Sequence, residues 1–378
     1  MNVPADSTAL KARSERLDAY LAQDPGNEQL LADAFEAALA AGRLEAAARH
    51  AEVGFSAAGS DAWRFRQVTL AMAQGRLEDA KSQLMQLAPT GDPLHPAVRF
   101  NLGYVHFRLG EYRSSAELLE PLLGDMPPAQ PVWLRSLHQL GEVERAWGWV
   151  DRALSAGQAL EAEVCGVASL IAIDAEQLDQ AERLADRALH GMPRLAEALV
   201  AKGSVALARQ DGPSAEKFAT AALEQRDDGR ARSLLGFARL LRQNLAAALT
   251  ELERAVLLMP GHVGTWHGLG WTRILLKDLS GAEAAFAQAL ALDRNFAESH
   301  GSCAVVLVLM GRVGEAKAHV ARAQRLDPNS MAVRYAELLM SGKGADPRAV
   351  ERLARQIVAG ATAVRGIQDP SAGGASNT

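Results

Sequence analysis

Two cysteines, Cys165 and Cys303, are all that this chain of 378 residues contains. No disulfide framework can be built from so few, and a reducing compartment is expected. Aromatic residues are scarce too, at 5%. There is no basic excess: 40 Lys and Arg stand against 45 Asp and Glu, a formal net charge of −5. A grip on nucleic acid needs a basic face, so no nucleic-acid partner is expected. No apolar run approaches the length of a bilayer span, and the start, Met1-Asn2-Val3-Pro4-Ala5-Asp6, has neither a basic flank nor an apolar stretch. Neither direct membrane insertion nor a secretory leader is expected, which leaves the cytoplasm as the default location.

The grammar of catalysis is missing as well. Gly268-Leu269-Gly270 lacks the later glycine of a dinucleotide loop, and Lys202-Gly203-Ser204 reverses the order of a phosphate loop. His262, His267, His300 and Cys303 lie near one another in sequence but show no Cys-x-x-Cys or His-x-x-x-His spacing. No nucleophile stands beside a base. No enzymatic activity, cofactor or metal is expected.

What the chain does have is apolar residues in abundance, 48%, and a small residue that keeps returning. Ala47, Ala80, Ser115, Ala153, Ala181, Ala215, Ala248, Ala282 and Ala316 are separated by 33, 35, 38, 28, 34, 33, 34 and 34 residues. Pro193, Pro260 and Pro328 recur at two periods each and mark joints, because proline lacks the amide proton a helix needs. Gly103, Gly141, Gly203, Gly236 and Gly270, each after Leu or Lys, recur upstream of the small residues. The clearest unit reads Trp266, Leu269, Gly270, Ala282, Phe286, Ala289.

This pattern resembles the tetratricopeptide repeat, a helix–turn–helix unit of 34 residues. The likeness covers residues 28–330. It implies an all-α fold, an alpha-alpha superhelix of about nine repeats with capping helices at both ends. The units are expected to begin near Glu28, Asp61, Pro96, Leu134, Ala162, Ala196, Gly229, Val263 and Ala297. Residues 1–27 then form an N-terminal cap around a helix over Leu10–Ala22, with repeats 1–3 over 28–133 and repeats 4–9 over 134–330. Capping helices are expected over 331–360 and a disordered tail over 361–378. In such an array the two cysteines sit about four repeats apart and cannot bond. The intervals 38 and 28 mark one slip, at Met126–Trp133 with its three prolines. That slip reads as a kink or hinge, or as a longer loop with unchanged stacking.

The resemblance also implies that the first helix of each pair lines the concave side. Positions three before, one after and four after the glycine fall within one stripe of that helix. They give Phe100, Tyr104 and Phe107; His138, Glu142 and Arg145; Phe237 and Leu240; and His267, Trp271 and Ile274, with Phe65 and Met72 in the unit before. The stripe is largely apolar and lacks the Lys and Asn with which relatives clamp a terminal carboxylate. It suits another protein's amphipathic helix or aromatic-anchored peptide. The same side chains could instead pack on the next repeat, meet the chain's own cap, or support self-association. Trp147 and Trp149, beside Gly148, are expected at an inter-helix turn, as a second contact or as gap filling. Three functions follow: a noncatalytic scaffold or adaptor, an accessory subunit of a separately encoded enzyme such as a glycosyltransferase, or a cytosolic chaperone for secretion or assembly.

Overall fold

The computed structural model describes residues 5–87 and 95–342. The expected C-terminal cap beyond residue 342 and the expected tail at 361–378 lie outside the described residues. Within them are twenty α-helices, one short 3-10 turn and no strand. Helix α1 (Ala5–Gln23) is followed by the pairs α2 (Glu28–Ala40) and α3 (Leu44–Ala58), α4 (Asp61–Ala73) and α5 (Leu77–Leu87), and α6 (Pro96–Arg108) and α7 (Tyr112–Leu119). Next come α8 (Ala129–Gln139) and α9 (Val143–Ser155), α10 (Ala162–Asp174) and α11 (Leu178–Gly191), and α12 (Ala196–Ala208) and α13 (Gly212–Leu223). The last pairs are α14 (Gly229–Leu241) and α15 (Leu245–Leu258), α16 (Val263–Leu275) and α17 (Leu279–Leu292), and α18 (Ala297–Leu309) and α19 (Val313–Leu326), with α20 (Met331–Met340) after them.

One turn chemistry makes these pairs. Between the first and second helix of each stands a residue with positive φ: Gly42, Gly75, Gly110, Gly141, Glu176, Gln210, Gln243, Lys277 and Gly311. The hydrogen bonds around Lys277 show the mechanism. Its amide donates to the Ile274 carbonyl and the Asp278 amide to the Arg273 carbonyl, both at 2.9 Å. This left-handed cap satisfies the last carbonyls of α16 and turns the chain back. Five residues beyond each turn residue lies a small buried one: Ala47, Ala80, Ser115, Ala146, Ala181, Ala215, Ala248, Ala282 and Ala316. The lack of side-chain bulk there lets paired helices close on each other.

That relation corrects the sequence reading in the fourth pair. The in-register residue is Ala146, fully buried, not Ala153. With it the intervals become 31 and 35, and the slip of 38 and 28 disappears. Gly141 has φ 72 and is the turn glycine, not a helix anchor. The fourth pair starts at Ala129 rather than Leu134, because Pro131 sits in the first turn of α8, where no intrahelical amide donor is required. Trp147, Gly148 and Trp149 lie inside α9 rather than at a turn, and both rings are half-buried.

The chain forms two compact units, Met1–Ser136 and Leu137–Thr378. In the first, Phe35 meets Trp63 edge-on at 6.5 Å within a core of Leu31, Ala47 and Leu70. Helix α1 is tied down by Asp18, which accepts from Arg43 at 2.7 Å and bonds His50 at 2.8 Å. A neighbouring core of Val68, Leu84, Leu102 and Val105 joins α4 to α6. In the second unit, Trp271, Phe286, Val306 and Tyr335 anchor a core running from α16 to α20. Here consecutive first helices touch one another, α10 to α12 and onward to α20, while second helices make no comparable contact among the described residues. The first-helix side is therefore the inner face of this unit.

Candidate functional site

The expected stripe divides by burial. In the first unit Phe65 and Met72 on α4 and Phe100, Tyr104 and Phe107 on α6 are all half-buried. Phe100 stacks on Tyr104 at 6.5 Å, and Phe107 meets Tyr112 at 5.8 Å. Arg108 lies 5.9 Å from the Tyr104 ring centre and hydrogen-bonds its hydroxyl at 3.2 Å. An aromatic surface with a cationic rim results.

In the second unit the corresponding side chains are covered by the chain itself. Phe237, Leu240, Trp271 and Ile274 are 3%, 4%, 0% and 5% exposed, so they offer almost no surface to a partner. A Cβ on Gly268 would lie 2.5 Å from the Phe237 ring, and one on Gly270 would lie 2.4 Å from Phe286. Phe237 thus fills space that α16 leaves by carrying glycine. His267 is buried between the edges of Phe286 and Phe296, with Nε2 2.7 Å from the Ser299 hydroxyl. Burial holds its pKa down to about 4.

His138, Glu142 and Arg145 do not form one stripe. Glu142 is the N-cap of α9 and accepts from Arg145 at 2.8 Å. His138, in the last turn of α8, reaches instead to Asp174 at the end of α10, with Nε2 2.6 Å from Oδ2. Arg230 of α14 spans past α12 to the same carboxylate, its two terminal nitrogens at 2.8 and 3.2 Å from the two oxygens. Asp174 and Arg230 are 56 residues apart, so no sequence period pairs them. An ionisable residue ending the apolar run of α10 was the available signal, and it did not name its partner.

Charge pairing dominates here. Burial alone would raise the Asp174 carboxyl, but the Arg230 guanidinium and the His138 ring outweigh it and hold the group well below the usual carboxylate range. Burial, reinforced by Arg230, lowers the His138 pKa despite its bond to Asp174. His262, the N-cap of α16, is pushed down to about 4 by burial and the nearby Arg230. Asp174, Arg230 and His262 border a cleft of about 60 Å³ on the inner face, walled by Val200, Leu207, Leu234 and Phe237 with Ser204 and Ser233.

No three His, Cys, Asp or Glu side chains gather as a metal site among the described residues, and both cysteines are buried thiols. No helix among the described residues is long and apolar enough to cross a membrane.

Fold and turn chemistry define an all-α array of helical hairpins. Residues 263–296, the hairpin α16–α17, match the sequence profile of the tetratricopeptide repeat. That hairpin carries the tetratricopeptide repeat, and hairpins with the same turn and the same buried small residue stand on either side of it. The chain matches no curated protein sequence. Among solved structures it is similar to the APC/C hetero-tetramer Cut9-Hcn1, at 14% identity and TM-score 0.40, covering 88% of this chain and 93% of that one. It is also similar to YrrB, a TPR protein with an unusual peptide-binding site, at 20% identity and TM-score 0.38, covering 47% and 92%. For the protein MamA the values are 18% and 0.36, covering 42% and 92%.

Proposed function

We propose that this chain is a noncatalytic scaffold that binds another protein through the face lined by its first helices. The observation that carries this reading is the half-buried set Phe65, Met72, Phe100, Tyr104 and Phe107 on α4 and α6. The aromatic side chains at equivalent positions of the second unit, Phe237 and Trp271, are closed by its own packing, so the open aromatic part of the described stripe lies on α4 and α6. A side chain of this kind contributes about 1.5–3 kcal/mol when fully buried. Three or four such anchors support micromolar binding once ordering costs are met. An amphipathic helix or an extended peptide with apolar side chains fits such a surface.

Affinity capture from a native lysate tests this. Wild type is run beside Phe100→Ser/Tyr104→Ser/Phe107→Ser, with circular dichroism to verify that the variant folds. A protein retained by wild type and lost by the variant is the expected result. Equal capture by both would refute this surface, and recovery of the chain alone would make the patch a self-association face.

A further inference from the structure

The cleft between α10, α12 and α14 carries hydrogen-bonding capacity that the protein does not use. His262 Nδ1 accepts the Thr265 amide proton at 3.1 Å, which places the ring proton on Nε2. No group among the described residues accepts that proton, and the Ser204 hydroxyl has no protein partner there either. Asp174 Oδ2 receives both His138 and Arg230, whereas Oδ1 receives only one Arg230 N–H, at 3.2 Å, and keeps a lone pair. Between apolar side chains the cleft therefore offers two neutral donors and one carboxylate acceptor, with the Arg230 guanidinium paired to that carboxylate and the Ser233 hydroxyl paired to Thr265.

Formal charge decides what can enter. A carboxylate would lie against ionised Asp174, with Glu197 adding further negative charge near His138. An ammonium would meet the Arg230 guanidinium and the outward N–H of His262. A purely apolar tip would strand all three polar groups, at about 1–3 kcal/mol for each one left unpaired. A primary amide satisfies them together. The cleft volume of about 60 Å³ holds roughly four to six waters at ~10–15 Å³ each, room for a carboxamide and its adjoining methylene.

We propose that this cleft receives the side-chain amide of an asparagine or glutamine on the bound partner. Its oxygen accepts from His262 Nε2 and the Ser204 hydroxyl, and its NH2 donates to Asp174 Oδ1. The inference rests on the reading that the first-helix face holds a protein, and it specifies one residue of that protein.

Selection from a random peptide library displayed on phage tests it, using the full-length chain and the variants Ser204→Ala and His262→Asn. Asparagine keeps the N-cap of α16, since it is among the strongest capping residues, so melting temperature should hold while the Nε2 donor is lost. Peptides enriched in Asn or Gln at one position are expected. Changing that residue to Glu or Leu should weaken binding at least about tenfold, and both variants should erase most of this discrimination. Enrichment of acidic, basic or purely apolar residues would overturn the amide assignment while leaving protein binding intact. So would an amide preference that survives both variants. Failure to select any peptide would overturn it too, with the lysate capture still deciding the broader reading.

Discussion

Trp271 and Tyr104 hold the same angular position on their helices, yet one is sealed and the other half open. Helical geometry alone cannot tell them apart, because the difference lies in what the paired helix and the following hairpin place over the ring. Phe286 stands edge-on to Trp271 at 5.9 Å, and Gly268 makes room for Phe237. The sequence thus showed which residues share a stripe, but not which of them later helices would cover. Trp271→Ser should consequently cost about 3–5 kcal/mol, as large-to-small changes in a packed core do, and Phe237→Ser nearly as much. Phe100→Ser and Tyr104→Ser should cost under about 1 kcal/mol each. Urea denaturation followed by circular dichroism checks both. Equal effects at Trp271 and Tyr104 would contradict the division by burial.

At the scale of the helical pair, the legible signal was the period and the unread one was the turn. Eight of the nine expected first-helix starts coincide with observed ones. The exception arose because Leu140-Gly141 imitates the Leu-Gly pairs inside first helices. Gly141 is in fact the left-handed residue of a turn, five positions before Ala146. Four pairs place Glu176, Gln210, Gln243 and Lys277 at that turn, with φ of 59–65°. Such φ values strain any residue that carries a Cβ. Lys277 is exposed and its side chain makes no hydrogen bond or ion pair among the described residues, so Lys277→Gly should stabilise its hairpin by about 0.5–1 kcal/mol. Gly311→Ala should destabilise by about 1 kcal/mol, although a Cβ there meets nothing within 4 Å. Opposite shifts in thermal midpoint are expected. A loss of stability in Lys277→Gly would show that the entropy of glycine in the unfolded chain outweighs the relief of strain.

Across the whole molecule, stability should depend on pH through histidines kept neutral by burial. Composition showed nine histidines scattered singly, but the partners of some come from hairpins 30 or more residues away, as with His138 and Asp174 or His267 and Ser299. The folded pKa of His267 is about 4 against an ordinary 6.5. Its stabilising effect is therefore complete above pH 6.5 and is lost as pH falls towards 4, where the unfolded chain takes up a proton that the folded one does not. At pH 5 the loss from this residue is about 2 kcal/mol, and at pH 7 it is only a few tenths of a kcal/mol. His262 and His138 shift in the same direction. Asp174, held below its ordinary value, loses its contribution only at more acidic pH and leaves this window unaffected. His267→Gln should preserve a hydrogen-bonding group near Ser299 while removing the titration. Its stability relative to wild type should then be more favourable at pH 5 than at pH 7 by about 2 kcal/mol. Urea unfolding read by tryptophan fluorescence is suitable, because Trp266 and Trp271 flank the site in sequence. A wild-type-to-variant difference that stays constant between the two pH values would mean that His267 is protonated in the folded array or is reached by water.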